Sequence, residues 1–458
     1  MDNTNIQSNR TVKATFWRYA VPSIIAMMVT GLYQVVDGIF VGHYVGAEGL
    51  AAINISLPVI GSLMGLGLMI GMGSGSMLSI FRGENKLQQA QKAIINSLWL
   101  ILIFALLASV ILFFFNNQLI TLQGAKDNVF EYAQSYINIF IYGSVLTIGA
   151  TALPMLVRNN NSPYLATILM VLGAVLNIVL DYILLAIFEL GLQGAAIATV
   201  ISQALIMTLA LIYFFSSKAP IKLNLFALVP DYNIAKQSVL LGLSSLFMYL
   251  YFSFIIAMHN KLFMQYGTAL DVAAFAIIGY LATLYYLFSE GVANGLQPPV
   301  SYYFGTKEYQ KIQQTVKFAM KIVVFTGFAA YLFLTQYSDL VIGLFISNDS
   351  ELLQATTNGM RLHLFGMALD GFIFVSSVYF MAVGQGNKAL AISIANMAVQ
   401  IPFLWLLPQW LGINGVWLSA PISNVLLTLV IAPFLYIEIK KLSHKNPLND
   451  EQTLACQL

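Results

Sequence analysis

Apolar residues run through this chain in long blocks, separated by short polar segments. Counting blocks of about 20 residues or more, the length that crosses a bilayer as a helix, gives twelve. Six fall in the first half, at 14–41, 51–80, 91–115, 132–157, 163–188 and 193–215. Six more follow at 238–263, 272–302, 316–336, 360–384, 389–410 and 413–437. Several exceed what a bilayer needs, which predicts tilt or extension beyond the apolar layer. The residue-by-residue alternation of a barrel strand is missing. Backbone polar groups in lipid must be satisfied within their own segment, so helices are the expectation throughout.

The pattern also repeats. Ser79-Ile80-Phe81-Arg82-Gly83 recurs in outline as Ser301-Tyr302-Tyr303-Phe304-Gly305, an offset of 222 residues from Gly83 to Gly305. At almost the same offset, Leu190-Gly191-Leu192-Gln193-Gly194 matches Leu411-Gly412-Ile413-Asn414-Gly415, and Ala51-Ala52 matches Ala273-Ala274. Two repeats with an even number of helices each run parallel through the membrane. The expected fold class is therefore all-α integral membrane, with two six-helix lobes related by a pseudo-two-fold axis along the membrane normal. The lobes are expected at 1–215 and 238–458, with residues 216–237 as the linker. Duplicated halves of this kind are a transporter architecture, with the substrate site at the repeat interface.

Composition agrees with the pattern. Of 458 residues, 59% are hydrophobic and 9% charged, and mean hydropathy is +0.79. Soluble domains carry about 25% charged residues, so this chain lacks the polar surface to face water. Residues 1–13 are polar and the first apolar block is too long for a signal core, so no cleaved leader is expected. The single cysteine, Cys456, lies in the polar tail, which removes disulfide frameworks and cysteine metal sites.

Of the 21 lysines and arginines, all but Lys126, Lys261 and Arg361 fall on one side if both termini share that side. The positive-inside rule makes that side the cytoplasm. The expected location is the plasma (inner) membrane, multi-pass, with both termini inside.

Candidate chemistry lies in the acids. Only Asp37, Asp181, Glu290 and Asp370 of the 19 acids fall inside spans, with no lysine or arginine at comparable depth. A charge there costs about 2.5–3.5 kcal/mol on insertion scales. Each acid should therefore meet water, bind a cation or hold a proton, since desolvation disfavours the charged form. Acids without bases suit cationic cargo and repel anions. Asn177 sits one turn before Asp181 on the same helix face. Asp37, Asn177, Asp181 and Thr199 fall at similar depth, where their oxygens suit a hard cation or a shared proton. Two carboxylates held close repel one another when both are charged, so such a pair takes up a proton near neutral pH. Hydrogen bonding that merely stitches helices together is the competing reading for Asn177 and Thr199.

In the second half Asp37 maps onto or beside His259-Asn260, so the lobes are chemically unequal. Asp370 and Glu290 could bind a cation or substrate there, or could serve only as hydrogen-bonding groups. His259 reads as a packing histidine more readily than a proton relay. Pro22, mid-helix in the first span, removes a backbone hydrogen bond and permits a kink.

Val36-Asp37-Gly38-Ile39-Phe40-Val41-Gly42, with Gly46 and Leu50-Ala51-Ala52, resembles the first-helix signature of the MATE (multidrug and toxic compound extrusion) family. Gly291 to Pro298, running on to Tyr303-Phe304-Gly305, and Asn177-Ile178-Val179-Leu180-Asp181 resemble further elements of it. The resemblance implies an efflux antiporter that exchanges organic cations for protons or sodium by alternating access. It carries Asp37, Asn177, Asp181 and Thr199 onto the coupling network, Pro22 onto the bend of helix 1, and Asp370 onto the tenth-helix acid of a sodium-coupled branch. That branch's seventh-helix glutamate is missing here, which shifts the expectation to proton coupling, with sodium at the same four residues as the alternative. Glu290 matches no family role. Expected partners are cationic drugs or dyes and the lipid bilayer, with no nucleic acid, no cofactor, no bound metal beyond that sodium, and a monomeric state. A lipid-linked precursor flippase would need bases in its cavity for a diphosphate. An enzyme would need histidines, cysteine or metal-ligand spacing that the chain lacks. A channel would lack coupled uphill efflux.

Overall fold

The computed structural model describes residues 11–224, 229–345 and 350–444; Arg10, Lys445 and Cys456 lie outside them. The described residues form helices and turns, with no strand. The first repeat holds α1 (Val12–Tyr44), α2 (Ala47–Gly83), α3 (Leu87–Leu122), α4 (Asp127–Tyr142), α5 (Ser144–Asn159), α6 (Pro163–Asp181) and α7 (Gly191–Phe215). The second holds α8 (Tyr232–Tyr266), α9 (Ala269–Gly305), α10 (Tyr309–Gln336), the short α11 (Ser338–Ile342), α12 (Ser350–His363), α13 (Met367–Ala382), α14 (Gly386–Leu411) and α15 (Ile413–His444). Eleven helical stretches among the described residues are long and apolar enough to cross a membrane, and α4 with α5 makes a twelfth, bent by 62°. Large apolar side chains face outward, as at Phe113 and Phe114 of α3, a surface suited to lipid.

That bend departs from the unbroken 132–157 span expected from hydropathy. Gly143 sits at the break, where a β-carbon would come 2.8 Å from Val200 of α7. The block expected at 360–384 begins earlier, at Ser350, and is interrupted by a 3₁₀ turn over Leu364–Gly366. A β-carbon at Gly366 would press on Pro421 of α15. Two helix starts also move. Asp231 caps α8, its Oδ1 accepting from the Asn233 and Ile234 amides at 3.2 and 3.4 Å, so that helix begins six residues before the apolar block. Thr268 and Asp271 form a capping box that starts α9 at Ala269. Hydropathy is blind to both caps.

Part of the linker is fastened down. Asn160 donates from Nδ2 to the Ile221 carbonyl and accepts from the Ile221 amide, at 3.0 and 3.1 Å. Gln91 donates to the Lys222 carbonyl at 2.7 Å. Lys92 pairs with Asp231 at 3.1 Å. The Lys92 hydrogen bond, with backbone donors, holds the Asp231 carboxyl below its ordinary range. A depressed acid contributes stability that is complete above the unfolded value of about 3.9 and lost only as pH falls through the lower folded one. This anchor is therefore intact across physiological pH. Arg158, one of the basic residues counted on the inner side, is buried at the end of α5 with Nη1 3.4 Å from Met155 Sδ.

The chain forms two compact units. One spans Ile25 to Leu250; the other combines the chain up to Ile24 with everything from Tyr251 onward. Both α1 and α8 thus contribute residues to both units. In the second unit an apolar core gathers Phe263, Phe275, Ile278, Met360, Met367 and Trp417. Phe263 and Trp417 lie ring to ring at 4.2 Å. Trp417→Ala is expected to cost about 3–5 kcal/mol, read as a lowered unfolding midpoint in detergent. A midpoint unchanged from wild type would contradict the placement of that core.

Candidate functional site

Asp37 and Asp181 come together in the unit that spans Ile25 to Leu250. Asp37 lies three-quarters of the way along α1 and Asp181 ends α6. They lie within electrostatic reach of one another. Asp181 is fully buried, and neither of its carboxylate oxygens meets a hydrogen-bond partner among the described residues. Asp37 is half-buried, with Oδ1 likewise buried and unpartnered. Directly after Asp181 the helix widens into a π segment, Tyr182–Ile187. Such segments shift the helix register locally and recur at functional sites. A left-handed turn follows, with Glu189 at φ +51° and Gly191 at φ +56°. It lets α7 start close enough that a β-carbon at Gly194 would lie 3.1 Å from the Leu184 carbonyl.

Asn177 of α6 donates to Thr199 Oγ1 of α7 at 3.3 Å, and the Thr199 hydroxyl in turn donates to the Ala195 carbonyl at 3.0 Å. The Asn177 side-chain oxygen, Oδ1, is left buried and unpartnered among the described residues. The four residues named from sequence therefore occupy one unit, two of them joined directly. Two tyrosines escaped the sequence reading. Tyr33 of α1 and Tyr136 of α4 both lie within electrostatic reach of the two acids. Tyr33 carries a readable signal, one turn before Asp37 on the same face; Tyr136 carries none, because only the tertiary fold brings α4 there.

The second unit treats its acid differently. Asp370 of α13 accepts from Asn424 Nδ2 at 2.6 Å on one oxygen and from Tyr286 at 3.3 Å on the other. A carboxylate is an acceptor-only group, so two donors satisfy its charged form. Nearby, Tyr251 donates to Gln400 at 2.9 Å. His259 stands elsewhere, stacked on Phe275 at 5.1 Å and edge-on to His363 at 5.6 Å, with Nδ1 3.0 Å from the Ile255 carbonyl. It is buried in an aromatic box, a packing role. Asn260 beside it is half-buried. Glu290 is half-buried in α9, one residue before Gly291, where a β-carbon would press on Ile24 of α1. Pro22 lies inside α1, which continues as one helix through it. No group of three or more His, Cys, Asp or Glu side chains suited to a metal occurs among the described residues.

The MatE family model matches twice, over residues 22–183 and 241–406, once in each repeat. A curated relative, the "Multidrug export protein MepA" of Staphylococcus saprophyticus, is 24% identical over 421 residues, covering 92% of each chain. A solved structure titled "Outward-facing conformation of a multidrug resistance MATE family transporter of the MOP superfamily" is 25% identical with a TM-score of 0.89, covering 94% of this chain and 97% of that one. Another, "Crystal structure of MATE in complex with MaL6", is 24% identical with a TM-score of 0.90 and shares the fold over 97% of this chain and all of that one.

The difference between the acids predicts opposite effects of one substitution. Asp370→Asn keeps one acceptor oxygen but turns an amide N–H toward one of the two donors, and is expected to destabilise by about 1–3 kcal/mol. Asp181→Asn replaces a buried, unpartnered carboxyl with a neutral group and is expected to leave stability unchanged or raised. Chemical unfolding of the two variants measures this; equal losses in both would contradict the assignment.

Proposed function

The chain belongs to the MATE family, a multi-pass membrane transporter, and from that membership we propose that it exports organic cations in exchange for protons by alternating access. Coupling falls to the Asp37/Asp181 pair, with Asn177 and Thr199 beside it. The observation that carries this reading is the buried Asp181 carboxyl with no donor on either oxygen. Such a group is stable only with a proton or a cation upon it. Two positively charged occupants competing for one place cannot be held together, and that competition is the exchange. Export further requires that the occupants differ in affinity between the two access states.

In this cycle a proton arriving from outside neutralises the pair and releases cargo. Loss of the proton inside restores the negative charge that attracts the next cation. Tyr33 and Tyr136 supply hydroxyls and aromatic faces beside the acids, and aromatic faces attract organic cations. The lysine-rich ends of the helices face the cytoplasm, as the positive-inside rule requires in a plasma membrane. A sodium-coupled version of the same exchange is favoured by one feature, the carboxylate, amide and hydroxyl oxygens of Asp37, Asp181, Asn177 and Thr199, which suit a hard cation. Asp370, already satisfied by two donors, is the weaker candidate for either ion.

Export of ethidium from proteoliposomes under an imposed pH gradient or an imposed sodium gradient separates the two. Wild type is expected to export under the pH gradient, and Asp37→Asn to lose roughly tenfold or more of that rate. Wild-type rates in the variant would remove Asp37 from coupling, and export driven by sodium alone would select the sodium version.

A further inference from the structure

Away from the acids, the second unit joins a fixed positive charge to a hollow in its apolar surface. The two faces that make the hollow are readable from their spacing. Lys388, Ala391 and Ala395 lie at i, i+3 and i+7 along α14, and Leu427, Val430 and Phe434 keep the same spacing along α15. Between these faces runs an apolar groove of about 270 Å³. The two alanines give it depth, since longer side chains at either position would fill it. Val430 is exposed, so the groove opens on the outer, lipid-suited surface. At about 1.5 Å per residue it runs roughly 10 Å from Lys388 toward the middle of the span.

The charged end is held in place. Lys388 Nζ donates to Glu438 Oε2 at 2.7 Å and stands over the rings of Phe380 and Phe434 at 5.8 and 5.3 Å. Glu438 lies one turn beyond Phe434 on the same face of α15, is shared with Lys441 at 3.6 Å, and is only 14% exposed. Among the described residues Glu438 is the acceptor Lys388 Nζ meets, which leaves N–H donors for a ligand, because an ammonium carries three. Lys440 and Lys441 follow on α15, so three lysines stand against one carboxylate at this end. At the repeat offset of 222 residues Lys388 falls on Ala166 and Glu438 on Ser216, so the duplicated fold requires neither charge.

We propose that this groove binds one anionic phospholipid of the leaflet on the lysine-rich side, with an acyl chain between α14 and α15 and the phosphate on Lys388. The depth is right for a headgroup, since Lys388 sits in the first turn of α14, where the apolar span begins. Basic pockets between helices on the cytoplasmic side recognise acidic headgroups in this way. A zwitterionic lipid brings its own cation and leaves the surplus of lysines unanswered. Free phosphate would leave the apolar groove unfilled. Naming the leaflet cytoplasmic rests on the positive-inside orientation, whereas the site itself does not depend on what the chain exports.

Native mass spectrometry of delipidated protein, mixed with dioleoyl phosphatidylglycerol or dioleoyl phosphatidylcholine, tests the site. Wild type is expected to bind its first phosphatidylglycerol about fivefold or more tightly than phosphatidylcholine, the size one lysine contributes at an anionic surface. Lys388→Gln is expected to remove that preference. Ala391→Leu/Ala395→Leu fills the groove but keeps the Lys388–Glu438 pair, and is expected to weaken phosphatidylglycerol binding by a similar factor. Thermal melts without lipid confirm that each variant is folded. Equal binding of the two lipids by wild type, or phosphatidylglycerol binding unchanged in the double-leucine variant, would overturn the site. Displacement by glycerol 3-phosphate as effective as by intact phosphatidylglycerol would also overturn it, in favour of a free-phosphate site. No step involves transport, so failure here leaves the export reading standing, and a chain that exports nothing would still be expected to bind the lipid.

Discussion

A carboxyl group sealed among apolar helices without a donor has few stable states, and the fold is arranged around one such group. Asp181 can carry a proton or share a cation, but it cannot stand bare. The local architecture holds it in that position. The π segment that begins at Tyr182 displaces the helix beyond it, the tight turn through Gly191 brings α7 back against it, and Thr199 takes up Asn177 rather than the acid. None of the described residues donates a hydrogen bond to the carboxyl, so its need passes to whatever enters the site.

The contrast with Asp370 shows how one residue type takes two roles. Both acids sit inside apolar spans, and by hydropathy they are indistinguishable. Asn424 and Tyr286 supply Asp370 with donors from two other helices, which turns it into a fixed joint between α13, α15 and α9. The internal duplication therefore did not duplicate the chemistry. His259, at the position that corresponds to Asp37, is enclosed by Phe263, Phe275 and His363 and has become part of the packing.

Much of this was readable in the chain. Apolar blocks located the spans, because burial in lipid leaves helices as the economical solution, and the offset from Gly83 to Gly305 exposed the duplication. Asp37, Asn177 and Asp181 stood out because polar groups are rare at that depth, and helical spacing put Asn177 on the face of Asp181. Other features depend on tertiary contacts and had no local signal. Tyr136 reaches the acids from α4, which is bent by 62° from α5 at Gly143, a glycine with Val200 of α7 directly against it. The caps at Asp231 and Thr268 are local signals of another kind, polar residues that a hydropathy count discards. The crossing of α1 and α8 between compact units was hidden entirely, since repeats in sequence do not say which repeat a helix packs against.

The central claim is that cargo and proton compete for the Asp37/Asp181 pair, and proton release on cation binding measures it directly. Purified protein in weakly buffered detergent solution, titrated with ethidium near neutral pH, should release about one proton per cation bound, because linkage between two competing ligands is reciprocal. The double variant Asp37→Asn/Asp181→Asn should release none. Equal proton release from wild type and the double variant would contradict the account.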